Sequence, residues 1–172
     1  MVDAGLLLLR LALAAALLAH GEHNLSRWFG WRGSRRAAAL VDPNASLPAA
    51  GHPHSVAGPM AGPAEVLAAV VLGLGLLTPF GAATVIGLAV VVCRRAYWRS
   101  GFAFEPEQQF LLGAAAVATV LAFTGPGRVS VDHALGLRPG GLVWGVVALA
   151  FGLVGAAAVV AGGDRLEDPH ER

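Results

Sequence analysis

The chain has no lysine. All twelve of its basic residues are arginine, set against eleven acids, so that 172 residues carry a net charge of only +1. With 13% of residues charged, nucleic-acid binding is excluded, because it needs a concentrated basic face. Cysteine is nearly absent too. Cys93 stands alone, which rules out an internal disulfide and a Cys-x-x-Cys pair, so any redox role must borrow its chemistry. There is no Gly-x-Ser-x-Gly elbow. Ser130, Asp132 and His133 hold the letters of a hydrolase triad, but crowded into four residues they cannot form the usual relay. His52 and His54 flank Pro53, yet no carboxylate or thiol completes a ligand set, so no metal site is expected. His20 and His23 share one helix end and no intramembrane histidine faces them, so haem is not expected either.

What the chain has is apolar length. Hydrophobic residues make up 56% of it, the balance of a membrane protein. The centre is Pro63 to Trp98, in which runs from Val66 to Leu77 and from Phe80 to Cys93 flank Thr78-Pro79. As one straight helix the two runs would exceed roughly 40 Å, more than the ~30 Å hydrocarbon core. Proline gives no N–H to the helical ladder and disfavours the α region for the residue before it, so a hairpin is expected with its tip at Thr78-Pro79. Ala69 and Gly73 on one arm, with Ala83 and Gly87 on the other, have the four-residue spacing that lets two helices approach closely, and are expected to meet across it.

The other spans follow from similar runs. The first covers about residues 4–20, the hairpin arms about 64–77 and 79–96, and the fourth about 108–123. Between the first two lies a polar segment, 21–63. Its Trp28, Phe29 and Trp31 beside Arg27, Arg32, Arg35 and Arg36 suit a segment lying at the headgroup level, and its Pro-rich part from Asp42 to Gly62 is expected to be irregular. Thr124-Gly-Pro-Gly-Arg128 turns the chain sharply. Residues 136–172 add a fifth span, about 141–162, with a Gly145, Ala148, Gly152, Gly155 stripe, and a charged tail. If the spans alternate, nine arginines fall on one side and only Arg128 and Arg138 on the other. The bias puts the N-terminus outside and the C-terminus in the cytoplasm.

Ionisable groups inside spans are costly and are therefore the candidates for function. His20, Glu65, Glu107 and Gln108 gather near one end of the spans, while Arg10 lies inside the first span towards the other end. Arg10 can serve a site or snorkel outward, and Glu65 can be a ligand group or an interfacial helix charge.

The order of parts resembles the DoxX family of small bacterial membrane proteins. The residues that carry it are Leu6 to Arg10 with Ala19-His20-Gly21, Ala64-Glu65 with Gly73 to Thr78, Gly101 to Phe104 with Glu107, and Thr124 to Asp132, so that residues 1–135 read as a DoxX-like membrane domain. The resemblance implies a four-helix bundle in the bacterial plasma membrane, here all-α with a fifth C-terminal helix. It also implies a link to oxidoreductases, since members are associated with a thiosulfate:quinone oxidoreductase and with thiol and superoxide defence. The expected role is thus a membrane subunit or anchor of a quinone- or thiol-linked assembly, without a self-contained catalytic motif or a cofactor of its own. Arg10, His20, Glu65, Glu107 and Gln108 are candidate pocket residues for a quinone. A small-solute transporter or channel and a non-catalytic assembly factor are the alternatives. The expected partners are the lipid bilayer, a soluble or peripheral redox enzyme, and further copies meeting through small-residue helix faces.

Overall fold

The computed structural model describes residues 2–41, 57–100 and 106–167, with side chains described for 2–22, 61–94, 97, 106 and 108–162. All its regular elements are helices: α1 (Val2–Val41), α2 (Ala57–Leu74), α3 (Thr78–Ser100), α4 (Pro106–Thr124), the single turn α5 (Val131–Ala134) and α6 (Leu142–Glu167). α1 pairs with α2, α3 packs on α2 and α4, and α6 lies along α3 and touches α4. The fifth long helix is thus part of the bundle.

Each helix turns a narrow stripe inward. On α1 this is Arg10, Leu13, Ala14 and Leu17; on α2, Glu65, Ala68, Ala69 and Leu72; on α4, Gln108, Leu111, Ala114, Ala118, Leu121 and Ala122, all buried. The three- and four-residue steps are those of one helix face. Because alanine supplies much of this core, the helices sit close together and little volume separates their backbones.

The outside is the reverse of a soluble protein's. Leu8, Leu67 and Val154 are 68%, 63% and 68% exposed, whereas Arg10 and Glu65 are each 1% exposed. Val2–Glu22 and Leu142–Gly162 are long and apolar enough to cross a bilayer, and Ala61–Leu74, Thr78–Arg94 and Gln108–Thr124 are shorter apolar helices.

Three expectations need correction. First, α1 does not stop near His20: it runs to Val41, about 60 Å at 1.5 Å per residue. Arginine, alanine and leucine are good helix formers, and no proline occurs between His20 and Pro43 to stop the helix. Second, α2 starts at Ala57 and carries Pro63 inside it, so residues 57–62 are helical; residues 42–56, with His52 and His54, lie outside the described ones. Third, the small residues of the hairpin arms do not meet each other. Gly73 faces Ala14 on α1, and Ala83 and Gly87 face Gly152 on α6. The α2–α3 contact is made instead by Gly81 against Val71 and Leu72.

The α3–α6 crossing is the closest of these approaches. A Cβ on Gly87 would lie 2.9 Å from the Gly152 carbonyl oxygen, and one on Gly152 would lie 2.9 Å from that of Ala83. Backbone atoms cannot swing aside as a side chain can. Gly152→Leu is therefore expected to push α6 off α3 and to destabilise the protein by about 1–3 kcal/mol, read as a lower unfolding temperature in detergent; an unchanged temperature would show that the crossing is slack.

Candidate functional site

The hairpin tip is closed by a glycine cap. Gly75 takes φ +64°, and its N–H donates to Leu72 O at 3.0 Å while Leu76 N–H donates to Val71 O at 3.0 Å, the two bonds of a Schellman ending. A side chain is barred here for a second reason. A Cβ on Gly75 would lie 2.7 Å from Arg10 Nη1 and 2.7 Å from Ser130 Cβ.

Arg10 is held by backbone. Its guanidinium donates from Nη1 to Pro126 O, and from Nη2 to Gly73 O at 3.3 Å and to Val129 O at 2.9 Å. Its Nε is buried without a partner among the described residues. Gly73 is on the hairpin, and Pro126 and Val129 are in the turn after α4, so one side chain joins three parts of the chain. Beside it Asp132, fully buried, accepts from Leu77 N–H at 2.8 Å, Thr78 N–H at 3.2 Å and Thr78 Oγ1 at 3.1 Å. Thr78-Pro79 is the start of α3, so the Asp132 carboxylate satisfies free donors at that helix N-terminus and meets its positive end. Asp132 N–H donates back to Gly75 O at 2.9 Å. Ser130 caps α5 by accepting from His133 N–H at 3.1 Å. Ser130 and Asp132 are thus bound up in structure, as the exclusion of a triad requires.

The second cluster lies ten residues along α1 from Arg10, about 15 Å away along the helix axis. His20 Nδ1 is 2.8 Å from Glu65 Oε2. The carboxylate is 1% exposed and the imidazole 19%, so the pair is dry on one side and reachable on the other. Phe110 of α4 stacks on the imidazole, ring centroids 4.5 Å apart and planes inclined by 24°. Gln108, two residues earlier on α4, is buried. Gly21 sets the α1–α2 spacing, since a Cβ there would lie 3.1 Å from Glu65 Cβ and 3.2 Å from Gly62 O. An imidazole hydrogen-bonded to a buried carboxylate can hold and pass a proton, and its ring can hydrogen-bond a carbonyl or hydroxyl ligand. Among the described residues no three His, Cys, Asp or Glu side chains come together.

Of the candidates, His20, Glu65 and Gln108 come from three helices to the same end, whereas Arg10 belongs to the opposite one. The Glu107 side chain lies outside the described residues. Phe110 was missed in the sequence because an aromatic in an apolar run reads as core. The capping role of Asp132 was missed; the signal was its being the only acid between Phe104 and Asp164 apart from Glu105 and Glu107.

A helical bundle with charged groups inside and large aliphatic side chains outside is an integral membrane protein. The model of the DoxX family matches residues 5–98, more than half of the chain, and the chain belongs to that family. The match takes in α1 to α3 with Arg10, His20 and Glu65, while Asp132 and α6 lie beyond it. No curated protein and no solved structure matches the chain.

Arg10→Leu is expected to leave the carbonyls of Pro126, Gly73 and Val129 without their donor, the first of them buried, and Asp132 without a neighbouring cation, costing about 2–3 kcal/mol. Thermal unfolding in detergent measures it, and an unchanged or raised midpoint would contradict the bonding described. Asp132→Ala should cost roughly 2 kcal/mol by uncapping α3.

Proposed function

We propose that the protein is a multi-pass plasma-membrane subunit that anchors an oxidoreductase assembly and offers the His20–Glu65 pair to a quinone headgroup. The observation that carries this reading is the 2.8 Å imidazole–carboxylate contact, dry at Glu65 and partly open at His20. A quinone is reduced with uptake of protons and oxidised with their release, so it needs a proton-passing group near the membrane interface and an aromatic surface beside it. His20, Glu65 and Phe110 fit both needs. In this reading electrons come from a partner enzyme, Cys93 being the single thiol of the sequence. Family membership agrees with this role. The transporter reading is weaker, because the Arg10 guanidinium is occupied by backbone carbonyls and does not line a path.

The test is binding of a short-chain ubiquinone analogue to the purified protein. Glu65→Gln and His20→Phe, the latter keeping a ring against Phe110, should each weaken it by roughly tenfold, the worth of one hydrogen bond to a charged group. Binding equal to wild type in both would sink the quinone reading, and co-purification of a redox enzyme would still be open to test the anchor.

The orientation rests on the arginine bias, with the Arg10 end outside and the Glu65 end at the cytoplasm. In a Cys93→Ala background, a cysteine at exposed Leu137 should react with a membrane-impermeant thiol reagent in intact cells, and one at Ser46 should not. The reverse pattern would invert the assignment.

A further inference from the structure

At the Arg10 end, the turns on either side of α5 enclose a bowl of about 520 Å³, walled by Arg128, His133 and Arg138 and floored by the Gly125-Pro-Gly127 and Pro139-Gly140 backbones. The volume is in the range of small-molecule sites, about 300–1,000 Å³. We propose that this bowl binds a phosphate group, as the headgroup of an anionic phospholipid or as a free anion. This is separate from the quinone reading and does not depend on it.

Four observations lead there. The first is charge. Arg128 and Arg138 are the two arginines that stand against the nine-to-two bias of the chain, and both open into the same bowl with His133 between them in sequence. Among the described residues no ion pair engages any of the three side chains. The second is that cations outnumber the local acids. Asp132, the only acid from Thr124 to Gly141, is turned away and bonded to Leu77 and Thr78. Asp3 is the other acid at this end, and its Oδ1 accepts from the Arg128 backbone N–H at 3.0 Å. The excess is cationic.

The third is rigidity. Gly125 and Gly140 approach so closely that a Cβ on Gly140 would lie 3.1 Å from Gly125 Cα, and Gly141 N–H donates to Phe123 O at 2.7 Å. The fourth is the direction of a peptide. A trans peptide holds C=O and N–H antiparallel, and there is no cis bond among the described residues. Because Arg10 draws the Pro126 carbonyl inward, the N–H of Gly127 points the opposite way, away from the buried guanidinium. Two guanidiniums, whose planar forks suit phosphate oxygens, thus line one bowl whose turn is held in place from beneath.

The full-length protein in neutral detergent would be titrated with sodium phosphate against chloride at matched ionic strength. In parallel, it would be placed in phosphatidylcholine nanodiscs with rising phosphatidylglycerol, and retained lipid counted by native mass spectrometry. The wild type should bind at least one of these probes. The Arg128→Gln/Arg138→Gln pair should lose at least about tenfold in affinity, and the Arg128→Lys/Arg138→Lys pair, which keeps the charge without the planar fork, should fall between it and the wild type. Should the Gln pair fail to fold, Arg138→Gln alone reads part of the same loss. Binding of phosphatidylglycerol alone would identify a lipid headgroup, and binding of inorganic phosphate a soluble anion. Binding of neither probe, or equal binding by the Gln and wild-type proteins, would overturn the proposal.

Discussion

The bundle depends on how one buried cation is satisfied. Arg10 lies within a helix face otherwise made of Leu and Ala, and its guanidinium is met by three neutral carbonyls, from Gly73, Pro126 and Val129. The guanidinium, on a residue 1% exposed, has no water to turn to and must find its acceptors within the protein. The hairpin tip and the turn after α4 must therefore both come to Arg10. Asp132, brought in by the same turn, then caps α3. The geometry of the end of the molecule follows from satisfying these groups together.

Elsewhere the contacts are made by the absence of side chains. Gly21 against Glu65, Gly73 against Ala14, and Gly87 against Gly152 bring helices together where no hydrophobic effect drives them, so that attraction comes from close packing. Lipid already solvates large aliphatic groups, which is why Leu8, Leu67 and Val154 can remain outside. The distinction between the two ends is then chemical. One holds its buried charge on backbone carbonyls beneath an open, arginine-lined bowl; the other keeps an imidazole partly open beside a buried carboxylate.

The apolar runs made the helices legible, because their length against the bilayer and the Thr78-Pro79 break leave few alternatives. The layer shared by His20 and Glu65 was also readable, from where the spans end. Pairing was not. Ala83 and Gly87 are a close-packing seam wherever they face, and nothing in their spacing distinguishes α2 from α6 as the partner. The reach of α1 to Val41 was hidden by polarity, since a polar segment reads as leaving the helix although no proline stands in it before Pro43. Asp132 was obscured by distance: its donors, Leu77 and Thr78, are over fifty residues away, and only the fold brings them to it.

That distance has a consequence for how the protein is made. Two of the three acceptors of Arg10 lie 116 and 119 residues after it, so at a synthesis rate of about 5–20 residues per second the arginine waits roughly 6 to 24 s for them to emerge. During that interval its long stem must let the charge reach the nearer membrane surface. The placement of Arg10 on the N-terminal side of the span's centre, within reach of the nearer surface for so long a side chain, keeps the nascent first helix tolerable to lipid until the turn after α4 arrives to draw the guanidinium inward.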